Sequence, residues 1–197
     1  MKIQPIVEGH AEVEAFPVLL RRLRDETKAY IVEFLKPIRR RRSELVLEQP
    51  LRNAVRLALL KPECQAILVL FDGDDDCPAQ LAPVVEGWAQ DEAGTTPCAV
   101  VIAHREYEAW FLATLPAPHP TPEGVRDAKG ELAQRLEGGY LPTVDQASMS
   151  ATFDMSKAYP RCRSFRRLVK AFGELVEAQG VALPPWPPAA WAEGGEG

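Results

Sequence analysis

Two short runs of this chain are apolar throughout, AILVLF at 66–71 and CAVVIA at 98–103. A strand covered on both faces reads this way, because neither of its side-chain rows meets water. A third run, KIQPIV at 2–7, ends at Glu8-Gly9 and predicts a first strand, although Pro5 within it cannot donate to a sheet ladder. Elsewhere apolar residues recur at intervals of three and four. Val13, Phe16, Leu19, Leu20 and Leu23 predict a helix over 11–23, and Leu51, Ala54, Val55, Ala58 and Leu59 a helix over 51–60. Pro17 predicts a kink or a late start in the first of these, and Pro50 suits the first position of the second. Residues 29–35 (AYIVEFL) are rich in β-formers and read as another strand. Helices are further expected over 79–92, 105–115, 123–137 and 164–179. The polar stretch GGYLPTVDQASMSATFDMS between the last two is given no element.

The resulting order, βαβαβαβα followed by helices, predicts an α/β fold: an open, mainly parallel sheet with helices on both faces. The expected organisation is an α/β core over 1–115, a helical elaboration packed on it over 116–180, and a Pro/Gly-rich tail over 181–197 lying off the core. The chain of 197 residues is long enough to bury a core without disulfides or structural metal. Its four cysteines, Cys64, Cys77, Cys98 and Cys162, form no C-x-x-C pair and are expected as free thiols in a reducing cytoplasm. No apolar stretch is long enough for a membrane span, and the acid at Glu8 argues against a signal peptide.

Charge changes the picture more than composition does. The net charge is −5, yet residues 63–92 carry eight acids and no Lys or Arg, residues 157–170 carry six bases and no acid, and Arg39 to Arg42 are consecutive. Acidic and basic blocks of this kind suit a cation site beside a surface that holds a polyanion, and equally a wet surface.

The clearest chemistry is AILVLFDGDDD, where a buried strand ends in Asp72, Asp74 and Asp76. Ligands of open α/β sheets bind beyond the carboxyl ends of the strands. Carboxylates at alternate positions of an extended segment point one way and repel unless a cation lies between them or some take up protons. Oxygen donors without a His or Cys cluster favour Mg²⁺ or Mn²⁺. IVEGHAEVE places Glu8 at the end of the first strand, Gly9 where the backbone can approach closely, and Glu12 four residues on. HREYEAW follows the third buried strand, so Glu106 and Glu108 are further candidate ligands and Arg105 a candidate phosphate contact; a helix start and a packed Trp110 are the plainer alternatives. CRSFRRLVKAF sets Arg163, Arg166, Arg167 and Lys170 near one helix face, for phosphate or for solvent.

V-E-G after a first strand with D-x-D-x-D after a later one resembles the TOPRIM domain of topoisomerases, bacterial primases and the overcoming-lysogenization-defect nucleases. The wider pattern is similar to an uncharacterised bacterial family, domain of unknown function 4276. The segments that carry the likeness are IVEGHAEVEAFPVLLRRL, ILVLFDGDDDCPAQL, REYEAWFLA, VDQ at 144–146 and SFRRLVKA at 164–171. The resemblance implies a Rossmann-like TOPRIM sheet in which Glu8 handles protons or binds metal, Asp72 and Asp74 bind Mg²⁺, Asp76 assists and Glu12 is a second metal-binding acid. It also singles out Lys129, Asp145 and Gln146, with Lys129 grouped among the phosphate contacts. No topoisomerase tyrosine domain or primase zinc domain is evident, which leaves a nuclease-like phosphodiesterase acting on nucleic acid. The resemblance also implies that such proteins often accompany ATPases in defence systems against phage or plasmids, so a non-catalytic metal-binding subunit of an ATPase is the alternative. The chain has no P-loop of its own. A D-x-D phosphatase is a weaker reading, because it leaves V-E-G unexplained.

Overall fold

The computed structural model describes residues 1–193. Its centre is a parallel sheet. Strand β1 (Lys2–Val7) lies between β4 (Ala66–Asp72) on one side and two short segments, β2 (Glu33–Phe34) and β3 (Ile38–Arg39), on the other; β5 (Cys98–Ala103) pairs with β4 and forms the far edge. Helix α1 (His10–Thr27) joins β1 to β2. The short α2 (Arg42–Leu45) and α3 (Glu48–Leu59) join β3 to β4, and α4 (Pro78–Ala93) joins β4 to β5. The rest of the chain adds α5 (Ala109–Leu112), a 3₁₀ turn at Pro122–Gly124, α6 (Ala128–Arg135), α7 (Pro142–Thr152), α8 (Met155–Arg161), α9 (Arg163–Glu177) and α10 (Ala189–Glu193). This is the Rossmann-like open parallel sheet that the sequence predicts. Among the described residues no helix is long and apolar enough to cross a membrane.

The unbroken apolar runs have a simple cause. Leu68 and Leu70 of β4 and Val101 of β5 pack with α1 and α9, while Ile67, Val69 and Phe71 of β4 and Val100 and Ile102 of β5 pack with α3 and α4. Alternate side chains enter different cores, so neither row is polar. Pro5 fits in the middle of the sheet because of a gap. Leu35 donates to Ile3 O and Arg40 to Val7 O, and Pro5 falls between β2 and β3, where no strand asks for its missing donor. The Gln4 amide fills the gap, donating to Pro5 O (2.7 Å) and Lys36 O (2.9 Å).

Several expectations need correction. Helix α1 starts at His10 and runs through Pro17. The segment 29–35 pairs only at Glu33–Phe34, and the arginine run enters the sheet at Arg39 and opens α2 at Arg42. Helix α3 starts at Glu48, so Pro50 is its third residue, still in the first turn, where a missing N–H breaks no helical bond. In place of a helix over 105–115 there is a turn followed by the four residues of α5, and 123–137 divides into the 3₁₀ turn and α6. The polar stretch forms α7 and α8. The proline-rich end is not free of the core: Trp191 is buried, and Trp186 packs beside it and Phe172. The last four residues of that expected tail lie outside the described ones.

Candidate functional site

The sheet order reverses direction between β1 and β4: the chain leaves β1 toward β2 and leaves β4 toward β5. A crevice opens beyond the strand ends at such a point. Glu8 follows β1 there and Asp72 ends β4, and the Asp72 N–H donates to Glu8 Oε2 (3.1 Å). Asp72 is 9% exposed; its Oδ1 accepts from the Tyr107 N–H (2.9 Å) and its Oδ2 from Lys129 Nζ (3.2 Å).

HREYEAW feeds this crevice through its packing. Tyr107 and Trp110 are buried in an aromatic cluster with Phe111, Phe153 and Phe165, and Trp110 Nε1 donates to Ser164 Oγ (2.8 Å). With those anchors fixed, Glu106 and Glu108 both reach Lys129, whose Nζ lies 3.7 Å from Glu106 Oε1 and 3.5 Å from Glu108 Oε2. Glu106 also accepts the Lys129 backbone N–H (3.0 Å), at the start of α6. Thus Lys129 stands among carboxylates, not on an open basic surface. Glu108 is fully buried and accepts from Tyr140 Oη (2.8 Å) and Gln146 Nε2 (3.1 Å). The same Gln146 amide donates to Glu12 Oε1 (3.2 Å), and Glu12 is itself 8% exposed. Glu12 folds over Gly9 so closely that a β-carbon there would lie 2.0 Å from Glu12 Oε2. Close approach is what Gly9 provides, since its backbone is extended.

The electrostatics follow from this crowding. Burial raises the Glu8 pKa above its ordinary value, with Asp74 and Glu12 adding to the effect and the Asp72 N–H and Arg42 opposing it. Burial likewise raises Asp72 and Glu108, each opposed by Lys129. The three carboxylates around Lys129 hold its proton well above the usual lysine range despite desolvation. Glu12 Oε2 is buried without a hydrogen-bond donor among the described residues, and Glu108 Oε2 meets only the Lys129 ammonium, 3.5 Å away.

The aspartate loop is arranged otherwise. After Asp72 the chain turns, with Asp76 N donating to Gly73 O (2.9 Å) and Asp74 at φ 47°. The extended geometry expected of Asp72, Asp74 and Asp76 is therefore absent. Asp74 and Asp76 pair with Arg42 (3.1 Å to Asp74), which also donates to the carbonyls of Asp72 and Gly73. Asp75 pairs with Arg105 and Arg126. Arg105, at φ 67°, accepts the Asp74 N–H at its own carbonyl, so two non-glycine residues in the left-handed region lie side by side.

The expected basic face of α9 is largely occupied. Arg166 donates to the carbonyls of Tyr159 and Pro160, Arg167 pairs with Glu86 and Glu174, and Lys170 lies 3.6 Å from Glu174. Arg163 gives its backbone N–H to Glu123, and its guanidinium has no partner among the described residues.

Oxygen-only donors and the unpartnered buried Glu12 Oε2 suit a hard divalent cation. Among the described residues, however, no three His, Cys, Asp or Glu side chains converge as a ready metal cluster. Lys129 supplies the positive charge between Asp72, Glu106 and Glu108. Sequence reasoning missed Arg42, Tyr140 and the role of Gln146. Only the position of Gln146 in the VDQ segment had marked it.

A family model described as Domain of unknown function (DUF4276) matches residues 7–172. No curated protein and no solved structure matches the chain.

Proposed function

We propose that this chain, which belongs to the DUF4276 family, is a TOPRIM-like, divalent-cation-dependent phosphodiesterase acting on nucleic acid. The observation that carries this reading is the excess of buried carboxylate at the sheet's reversal point. Glu8, Glu12, Asp72 and Glu108 crowd together there with one ammonium, Lys129, and Glu12 Oε2 lacks a donor among the described residues. Buried charge in excess of its counter-charge is expensive to keep and marks functional sites.

Asp72, Glu8 and Glu12 are the residues that would hold Mg²⁺ or Mn²⁺, with Asp74 beside them. Such an ion polarises the phosphate and offsets charge on the leaving oxygen. Glu8 is suited to moving the proton of the attacking water, because it is half-buried, its pKa is raised, and its orientation is fixed by the Asp72 N–H. Lys129 keeps a full positive charge beside Asp72, where a phosphate oxygen can meet it. Gln146 holds Glu12 and Glu108 apart at a fixed spacing.

A second reading is favoured by the Lys129 ion pairs, which leave no ready metal cluster: a non-catalytic subunit that works with an ATPase, as the family resemblance suggests. Plasmid, single-stranded DNA and RNA incubated with Mg²⁺ or Mn²⁺ separate the two. Wild type cleaves one of them on the first reading, and Glu8→Ala and Asp72→Asn from the same purification do not. Equal cleavage by all three preparations refutes the assigned site, and no cleavage by wild type favours the subunit.

A further inference from the structure

A second concavity lies along the same sheet edge. Between the start of α4, the outer edge of β5 and the start of α9 is a cavity of about 520 Å³, within the roughly 300–1,000 Å³ usual for small-molecule sites. Pro78, Ala79 and Ala82 give it an apolar wall over the nearly buried Val100 and Ile102, and Arg105, Arg163 and Arg167 a cationic rim. Asp75 and Asp76 also border it, but Arg105 and Arg126 hold the first and Arg42 the second. Arg167 is likewise engaged, by Glu86 and Glu174. That leaves the Arg163 guanidinium with its donors uncommitted among the described residues. The first turn of α4 beside it adds little, since Pro78 has no N–H and the Gln80 and Leu81 N–H groups donate to Cys77 O (3.0 Å each).

We propose that this cavity receives one nucleoside monophosphate unit of the substrate. The base lies against Pro78, Ala79 and Ala82, and the phosphate meets Arg163. The cavity adjoins the acid crevice through the chain itself: Asp75 and Asp76 follow Asp74, and Arg105 precedes Glu106. The inference rests on the phosphodiesterase reading and narrows its substrate to single-stranded or frayed nucleic acid. A base stacked inside a duplex cannot enter a pocket of this size without leaving the stack.

Cys77 provides the readout. It borders the cavity and is exposed, whereas Cys98 and Cys162 are buried. In a Cys64→Ser background, the rate of Cys77 modification by a thiol reagent is followed in EDTA, with deoxyadenosine 5′-monophosphate, deoxyadenosine or inorganic phosphate as probe. The nucleotide is expected to protect Cys77. Arg163→Glu and Ala82→Trp, confirmed as folded by circular dichroism, are each expected to weaken that protection roughly tenfold. Phosphate or nucleoside alone is expected to protect about tenfold less well than the nucleotide. No protection by the nucleotide, equal protection by phosphate alone, or protection unchanged in both variants would overturn the proposal. Chelation removes metal and turnover from the measurement, so a negative result leaves the phosphodiesterase reading standing. A protein that binds the nucleotide but cleaves nothing refutes only that earlier reading.

Discussion

Two groups of acids lie within a few residues of each other and meet opposite fates. Asp74, Asp75 and Asp76 are the densest acidic run in the chain, yet each is exposed and matched to an arginine. Glu8, Glu12, Asp72 and Glu108 are scattered over a hundred residues, yet they are brought together around Asp72, largely buried, with Lys129 against Asp72 and Glu108. Density in sequence therefore says little about electrostatic demand. Three neighbouring acids on a loop satisfy themselves with Arg42, Arg105 and Arg126 at small net gain, because the acids stay in water. Acids delivered singly by strand ends and a packed turn cannot escape one another, and that group is the one suited to bind and react.

The sharpest test of the contrast is catalytic. Asp72→Ala is expected to reduce cleavage at least about 10²-fold, while Asp75→Ala stays within about threefold, measured as initial rates on the substrate that wild type cuts. Equal losses would erase the distinction. Lys129→Met comes next. It leaves the crevice acids without their ammonium and is expected to destabilise the fold by about 2 kcal/mol at pH 7.5, below the roughly 3–5 kcal/mol of a fully buried pair because Lys129 is partly exposed. Urea unfolding at two pH values adds the sign. The raised pKa values of Asp72 and Glu108 mean that the folded state holds their protons more tightly than the unfolded chain. Wild-type stability contributed by these groups is therefore fully present below their ordinary values, 3.8 and 4.5, and falls as pH rises from there through the raised ones. The penalty of Lys129→Met should shrink toward pH 4.5 as the acids take up protons. Gln146→Ala should destabilise by about 1–2 kcal/mol, because it strips a donor from both Glu12 and Glu108. Smallest of all, Arg126→Ala should shift stability by less than about 0.5 kcal/mol, since its pair with Asp75 is exposed on both sides.

Much of the scaffold was legible in the sequence. The apolar runs of β4 and β5 and the short β1 define a parallel sheet, and Glu8 and Asp72 fall at strand ends that prove to be neighbours. What stayed hidden was polar and buried. Gln146 and Ser150 look like surface residues, so α7, which carries both and packs along α1, reads as loop. Arg42 is one of four identical neighbours, and nothing local marks it as the one that clasps the aspartate loop. The alternate spacing of Asp72, Asp74 and Asp76 misled for a physical reason. It assumed a continued strand, whereas the chain turns at Gly73, where a β-carbon would press on Ala103 O and Ile102 at 3.1 Å.

The paired left-handed residues, Asp74 and Arg105, carry a consequence for anyone wishing to harden the protein. Each is held against its local preference, at about 1 kcal/mol or more, by hydrogen bonds between the two loops that carry the acids. Glycine or asparagine at either position relaxes the backbone and is an obvious route to a higher melting temperature. At position 105 the same change also discards the guanidinium that holds Asp75. Thermal robustness and the shape of the loops beside the crevice thus draw on the same two residues, and selection for one is expected to erode the other.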